Sequence, residues 1–353
     1  MTRRATFALA APGGYFLDES DREGLTRFLH AQAWIDSTDA VRDLAPAGEG
    51  NMNCTLRVTT RARTFILKQS RPWVEKYPDI AAPLDRVLQE VAFYEVVAAH
   101  PSVAGMMPRL LGVSRSSRMM MLADLGPTSD YTCLYRGDVI QGEDIDALVR
   151  YLSELHTAHV GTERTDAFVN RDMRRLNHHH IFEYPLSPDG AGVDLDGLTP
   201  GLQAEADRLQ QDLDYFEAVA GLGGVYLDDG RALLHGDFFP GSWVKIGQDV
   251  RVIDPEFCFL GPPEFDVGVF LAHLYLAGQP SQVRQRVSER YRRDERFDGD
   301  LAARFAGVEM MRRLLGVAQL PLAATLKEKQ LWLERSRQLV CEREPWGTIQ
   351  CGD

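Results

Sequence analysis

One stretch of the chain, LLHGDFFPGSWVKIGQDVRVIDPEFCFLGPPEFDVG from Leu233 to Gly268, gathers its most reactive residue types in a short span. It reads as strand, tight loop and strand, then a second acidic cluster. His235-Gly236-Asp237 sits in the first loop, and Asp254-Pro255-Glu256 ends the following strand. Phosphoryl transfer from ATP needs one carboxylate to take the acceptor hydroxyl's proton and others to hold Mg²⁺ against the phosphates. The spacing suits both tasks. Asp237 is the expected base, with His235 bracing its loop through hydrogen bonds. Asp254 and Glu256 are the expected Mg²⁺ ligands, since hard divalent cations take carboxylate oxygens, and Pro255 fixes the turn between them. Asp266 in EFDVG is expected at a helix N-cap, supporting this loop rather than reacting.

These groups act only if other elements deliver a nucleotide to them. Residues 40–70 read as short strands: VRDLAP leads into Gly48-Glu49-Gly50-Asn51-Met52-Asn53, followed by CTLRVTT, a polar turn and TFILKQS. Two strands joined by a glycine-bearing turn can roof a nucleotide, with backbone N–H groups near the phosphates. Gly48, Gly50, Asn51 and Asn53 are the expected contacts there. Lys68 lies in the third, apolar strand and is expected to neutralise phosphate charge, because lysine is rarely buried without a partner. Glu90 or Glu95 on the next helix, LDRVLQEVAFYEVVAAH, is the candidate partner, and the apolar neighbours Phe93 and Tyr94 favour Glu90. The strand RMMMLADLGP ends at Pro127, where backbone groups of Ala123 to Leu125 are expected to meet the adenine edge. Met119 to Met121 read either as filler against the ring or as strand core.

Beyond Pro127 apolar residues recur at helical spacing, as in DIDALVRYLSELHTAHV, Ser281 to Arg293 and Phe305 to Val317. The reading is an α+β, protein kinase-like two-lobed fold with a β-rich N-lobe, a mainly helical C-lobe and the active site between them. The expected division is residues 1–125 as nucleotide-binding lobe and 126–353 as catalytic and acceptor-binding lobe. Arg312 and Arg313 stand side by side in the apolar helix VEMMRRLLGVA. They cannot both be buried without partners, so one is expected to meet the acceptor and the other to form an internal ion pair. His178-His179-His180 lacks accompanying ligands at metal-binding spacing and reads as structural or substrate-lining.

Composition narrows the class further. The chain has 353 residues, 44% hydrophobic and 25% charged, with a formal net charge of −12. That balance argues against nucleic acid or an anionic membrane surface as partner. No stretch is long and apolar enough to span a bilayer. Five cysteines without a CxxC pair fit reduced thiols, and a cytoplasmic location is expected.

HGDFFPGS, VIDPEF and GPPEFDVG together resemble the 5-methylthioribose kinases, within the aminoglycoside phosphotransferase and choline kinase-like superfamily. GEGNMN, ILKQS and FAGVEMMRRLLGVA echo that family in the same order, over about residues 40 to 340. The resemblance implies that Asp237 is the base, Asp254 and Glu256 the metal ligands and Lys68 the phosphate-binding lysine. It adds Ser242 as a metal ligand, where the superfamily usually has asparagine, and places Arg312 and Arg313 near the sugar. It also implies a homodimer. Phe238-Phe239-Pro240 and Trp243 depart from the family pattern, and NRDMRRLNHHHIFEYPL is only loosely similar.

The expected activity is transfer of the ATP γ-phosphate to a hydroxyl of 5-methylthioribose or a related pentose-like small molecule. The alternatives are a phosphotransferase for an aminoglycoside, amino alcohol or other sugar, and a non-catalytic nucleotide-binding protein.

Overall fold

The computed structural model describes residues 2–48, 52–161, 166–188, 192–291 and 295–342. The chain divides into two compact units, Met1–Pro127 and Thr128–Asp353.

The first unit is built on an antiparallel five-stranded sheet of order β1-β2-β3-β5-β4. Its strands are β1 (Asp43–Pro46), β2 (Cys54–Thr59), β3 (Thr64–Gln69), β4 (Leu110–Ser114) and β5 (Met119–Ala123). Helices α1 (Arg3–Ala10) and α2 (Arg22–Ala31) precede it, while α3 (Arg86–Val97) and α4 (Pro101–Ala104) lie between β3 and β4. The period of two along a strand sends alternate side chains to opposite faces. Leu56, Val58, Phe65, Leu67, Met119 and Met121 thus share one core with Leu25 and Leu29 of α2. Of the two readings for the methionines, strand core holds for Met119 and Met121. Helix α1 is capped by the Thr2 side chain and buries Phe7 against Trp73.

The second unit is mainly helical: α5 (Gly142–His156), α6 (Arg171–His178), α7 (Leu195–Leu198), α8 (Leu202–Gln210) and α9 (Leu213–Leu227), then α10 (Pro263–Leu276), α11 (Ser281–Arg290), α12 (Gly299–Leu315) and α13 (Leu326–Cys341). Its strands are short: β6 (Ser129–Asp130), β7 (Ala232–Leu234), β8 (Trp243–Ile246), β9 (Asp249–Val252) and β10 (Phe259–Gly261). Helix α12 packs on both α10 and α13 and is buried on nearly all sides from Phe305 to Leu315, as a helix enclosed by neighbours. Phe265, Val269, Phe305, Val308, Met311, Leu314, Leu333 and Val340 fill the core there. A capping box between Thr325 and Glu328 starts α13.

The β-rich first unit and helical second unit agree with the expected α+β class. Among the described residues no helix is long and apolar enough to cross a membrane, and Cys54, Cys133, Cys258 and Cys341 are free thiols.

Candidate active site

In the second unit, strand pairing alone brings the two acidic segments together. β7 pairs antiparallel with β10, Leu234 opposite Phe259, so the loop leaving β7 and the turn entering β10 lie side by side. The β8–β9 hairpin closes the third side with Trp243 opposite Val252. At its open end the Ile253 N–H donates to the Ser242 carbonyl at 2.9 Å, which sets Ser242 beside the residue preceding Asp254.

The His235-Gly236-Asp237 loop is held from below. Asp266 Oδ2 accepts the His235 N–H at 2.7 Å and its Oδ1 accepts the Gly236 N–H at 2.9 Å. His156 Nε2 lies 3.1 Å from Asp266 Oδ2, and its Nδ1 pairs with the Tyr291 hydroxyl at 2.7 Å. Asp266 is fully buried. It does not cap α10 as expected, because the N-cap is Pro262 and the helix begins at Pro263. It lies within the first turn, where its carboxylate points back to the loop. His235 braces the same loop with its side chain: Nε2 donates to the Ile253 carbonyl at 3.0 Å. Burial pushes the His235 imidazole toward its neutral form, partly offset by Asp266. Gly236 has φ +84°, and a Cβ there would lie 2.2 Å from the Phe257 carbonyl oxygen, so only glycine fits.

Asp237 is 19% exposed at its side chain, and its Oδ1 accepts from Arg313 Nη2 at 3.1 Å. Arg313 Nε donates to Glu309 Oε1 at 2.6 Å, and Arg312 Nη1 to Glu309 Oε2 at 2.9 Å. Both arginines thus pair internally with one glutamate, a helical turn earlier on α12, where one such pair was expected. Burial alone would raise the Glu309 carboxyl, but the guanidinium groups of Arg312 and Arg313 and a hydrogen bond from His273 hold it well below the usual carboxylate range. Arg312 keeps a buried Nε–H with no acceptor among the described residues.

Asp254 adopts φ +70°, the left-handed region that aspartate enters more readily than most residues. Glu256 is buried. The Ser242 hydroxyl donates to the Asp237 carbonyl at 3.0 Å, tying the candidate metal ligand to the candidate base's own backbone. Two carboxylates and a hydroxyl oxygen form a hard-donor set of the kind Mg²⁺ takes alongside phosphate oxygens. The triple histidine is used locally: His178 and His179 both bond Glu183 within a π-helical turn, His179–Glu183. Burial, with Arg312 and His179 nearby, pushes His180 down to about 4.

In the first unit, Lys68 Nζ lies 2.5 Å from Glu90 Oε2, and both side chains are almost wholly buried. Glu95 is exposed and pairs with Arg115 at 3.3 Å. Asn53 is buried at the start of β2. Gly48 adopts φ +84° before β2, whereas Gly50 and Asn51 lie outside the described residues. At the end of β5 the Ala123 N–H donates to the Arg109 carbonyl at 2.8 Å and so serves the sheet, which narrows the expected adenine contacts to the other backbone groups of Ala123 to Leu125. Leu125 follows in a turn fixed by Asp124, which accepts from Arg57 at 2.9 and 3.1 Å and from the Gly126 N–H at 3.0 Å.

Glu309, His156, His273 and Tyr135 were not singled out from the sequence. Glu309 had a signal, three and four residues before the arginine pair on one helix. The other three had none, since each reaches its partner from more than 30 residues away.

This arrangement defines a kinase-like α+β protein: a β-sheet unit with a buried Lys–Glu pair, then a helical unit with a braced aspartate loop. Comparison with known proteins gives the family. A model of the phosphotransferase enzyme family matches residues 43–303, and the chain belongs to that family. It is 27% identical over 340 residues to the methylthioribose kinase of Exiguobacterium sibiricum, covering 82% of this chain and 84% of that protein. Among solved structures it resembles LicA in complex with AMP, with TM-score 0.53, 11% identity and coverage of 93% of this chain and 100% of that one. It also resembles the spectinomycin phosphotransferase APH(9)-Ia in complex with ADP and spectinomycin, with TM-score 0.51, 11% identity and coverage of 91% and 98%. The two structural likenesses show the fold. The family and the curated relative make the chain an ATP-dependent phosphotransferase that acts on a small molecule with an alcohol group as acceptor.

Proposed function

We propose that the chain transfers the γ-phosphate of ATP to a hydroxyl of 5-methylthioribose or a closely related pentose-like acceptor, with Asp237 as the base. The observation that carries this reading is the Asp237 loop itself. Two backbone N–H groups bound by Asp266 and the His235 bond to Ile253 fix its path. Among the described residues Arg313 engages Oδ1 of the Asp237 carboxylate. Among the described residues Oδ2 accepts no hydrogen bond, so it can take the proton of an acceptor hydroxyl.

Asp254 and Glu256, with Ser242 beside them, would hold Mg²⁺, which when bound neutralises charge on the ATP phosphates. Lys68, oriented by Glu90, supplies a fixed positive charge for nucleotide phosphates. Arg312 and Arg313 pair with Glu309, and Arg313 also with Asp237, so the charges of the four groups cancel. A group without excess negative charge suits a neutral sugar better than a cationic aminoglycoside or amino alcohol. The curated relative named methylthioribose kinase supports the same acceptor. We place the enzyme in the cytoplasm, and a homodimer is our expectation for its assembly, to be checked by light scattering.

The test is ATP consumption with Mg²⁺ against 5-methylthioribose, ribose, 5-deoxyribose, choline, homoserine and kanamycin, with Asp237→Asn alongside. Turnover confined to 5-methylthioribose, lost by at least roughly 10³-fold in the variant while ATP still binds, is the expected outcome. Preference for choline or kanamycin would overturn the acceptor reading, and full activity of the variant would overturn the role of Asp237.

A further inference from the structure

Asp237 is the visible end of a buried chain of polar side chains that runs through three helical segments. Arg313 holds it with one edge of a rigid guanidinium: Nε bonds Glu309 Oε1 at 2.6 Å and Nη2 bonds Asp237 Oδ1 at 3.1 Å. The guanidinium is planar, so fixing Nε fixes where Nη2 lies. The Phe239 ring, with its centroid 4.8 Å from Arg313 Cζ, limits the remaining tilt. Glu309 is held in turn. Its Oε2 accepts from Arg312, and its Oε1 also accepts from His273 Nε2 at 3.0 Å. His273 Nδ1 then lies 2.6 Å from the Tyr135 hydroxyl, across 138 residues of sequence.

The proton positions along this chain follow from burial. His273 is fully buried on α10, and burial, aided by Arg313, pushes its imidazole down to about 4 against the opposing pull of Glu309. It is therefore neutral at pH 7. Glu309 is ionised and can only accept, so His273 carries its proton on Nε2 and Tyr135 donates to Nδ1. Tyr135, His273, Arg312 and the Nε of Arg313 all donate in the direction of Glu309, and the Nη2 of Arg313 carries the series on to Asp237.

We infer that Glu309 is a positioning residue for catalysis, setting the orientation of the Asp237 carboxylate through Arg313, with His273 and Tyr135 fixing Glu309 in its turn. The inference rests on Asp237 being the base. Its consequence is that Oδ1 is held by the protein while Oδ2 is presented to the acceptor. An error of about 1 Å in such placement can cost roughly 10²-fold in rate.

The experiment is a double-mutant cycle on the full chain with Mg-ATP and 5-methylthioribose, using Arg313→Met, Glu309→Gln and the pair, with Tyr135→Phe and Asp237→Asn as further variants. Glu309→Gln is expected to lower kcat by roughly 10²-fold with KM for ATP changed by no more than about 2-fold. The double variant should be no slower than Arg313→Met alone, because both act through one contact. Tyr135→Phe removes one hydroxyl from the far end and guards against a misfolded core. It should lower kcat by roughly 3- to 10-fold, with a melting temperature that does not account for the loss. Additive losses in the pair, or an unchanged kcat in Tyr135→Phe, would overturn the positioning role. Asp237→Asn separates the two failures: if it turns over like the wild type, the base assignment falls. If it is inactive while the cycle is additive, only the positioning role falls.

Discussion

Lys68 and Glu90 form an ion pair inside the first unit, Nζ to Oε2 at 2.5 Å, with side chains 7% and 1% exposed. Lys68 stands on β3 and Glu90 in the second turn of α3 on its core-facing side, where Val87, Val91 and Tyr94 are also buried. Breaking a buried pair from one side costs about 3–5 kcal/mol, so the pair persists only because both partners are present.

From this geometry, Glu90→Gln should keep a hydrogen bond to Lys68 but lose the charge that orients it. The expected result is a KM for ATP raised by roughly 10-fold with the acceptor KM little changed. Lys68→Met should lower the melting temperature as well as activity. Initial rates over an ATP series and thermal melts check both. An ATP KM unmoved in both variants would remove Lys68 from nucleotide binding.

Asp266 offers a second test. Its two oxygens separately accept the N–H groups of His235 and Gly236. Asparagine has a single acceptor oxygen, so Asp266→Asn leaves one buried donor facing an NH₂ group. A buried donor without an acceptor costs about 1–3 kcal/mol. Urea denaturation should show that loss, and kcat should fall with it because the Asp237 loop is no longer fixed. An unchanged urea midpoint would mean that the loop does not depend on Asp266.

The third prediction concerns pH. Burial, foremost, holds His273 at about 4 in the folded chain, below the value of about 6.5 for an unfolded histidine. Between these two values the unfolded chain binds a proton that the folded chain does not. Stability therefore falls as pH drops from about 6.5 toward 4, and His273 contributes no slope above that window. His180 is shifted in the same direction, to about 4, chiefly by burial, and adds to the slope. Melting temperatures from pH 4 to 8 should decline on the acid side, less steeply in His273→Gln. Equal slopes in the two proteins would show that His273 titrates normally.

Much of this is legible in the sequence. Asp237, Asp254 and Glu256 stand close in sequence, and the strand signals around them are local, so their proximity follows from one hairpin and one strand pair. Lys68 was readable because a charged residue inside an apolar strand needs a partner. The helix content of the second unit follows from periodicity. That the Ala123 N–H is taken by the segment before β4 was not readable, because that pairing is tertiary.

The chain's sequence by itself determined the elements and pointed to the candidate reactive groups, because strand alternation, helical periodicity and the Glu309–Arg313 spacing are properties of neighbouring residues. Tertiary structure alone decided how those groups are used. Asp266 proved a clamp on the loop rather than a cap, both arginines settled on one glutamate, and His273 and Tyr135 joined the series from remote segments. The reason is physical: a buried donor or acceptor must find its partner wherever packing brings one within hydrogen-bond distance, and sequence separation does not enter that requirement.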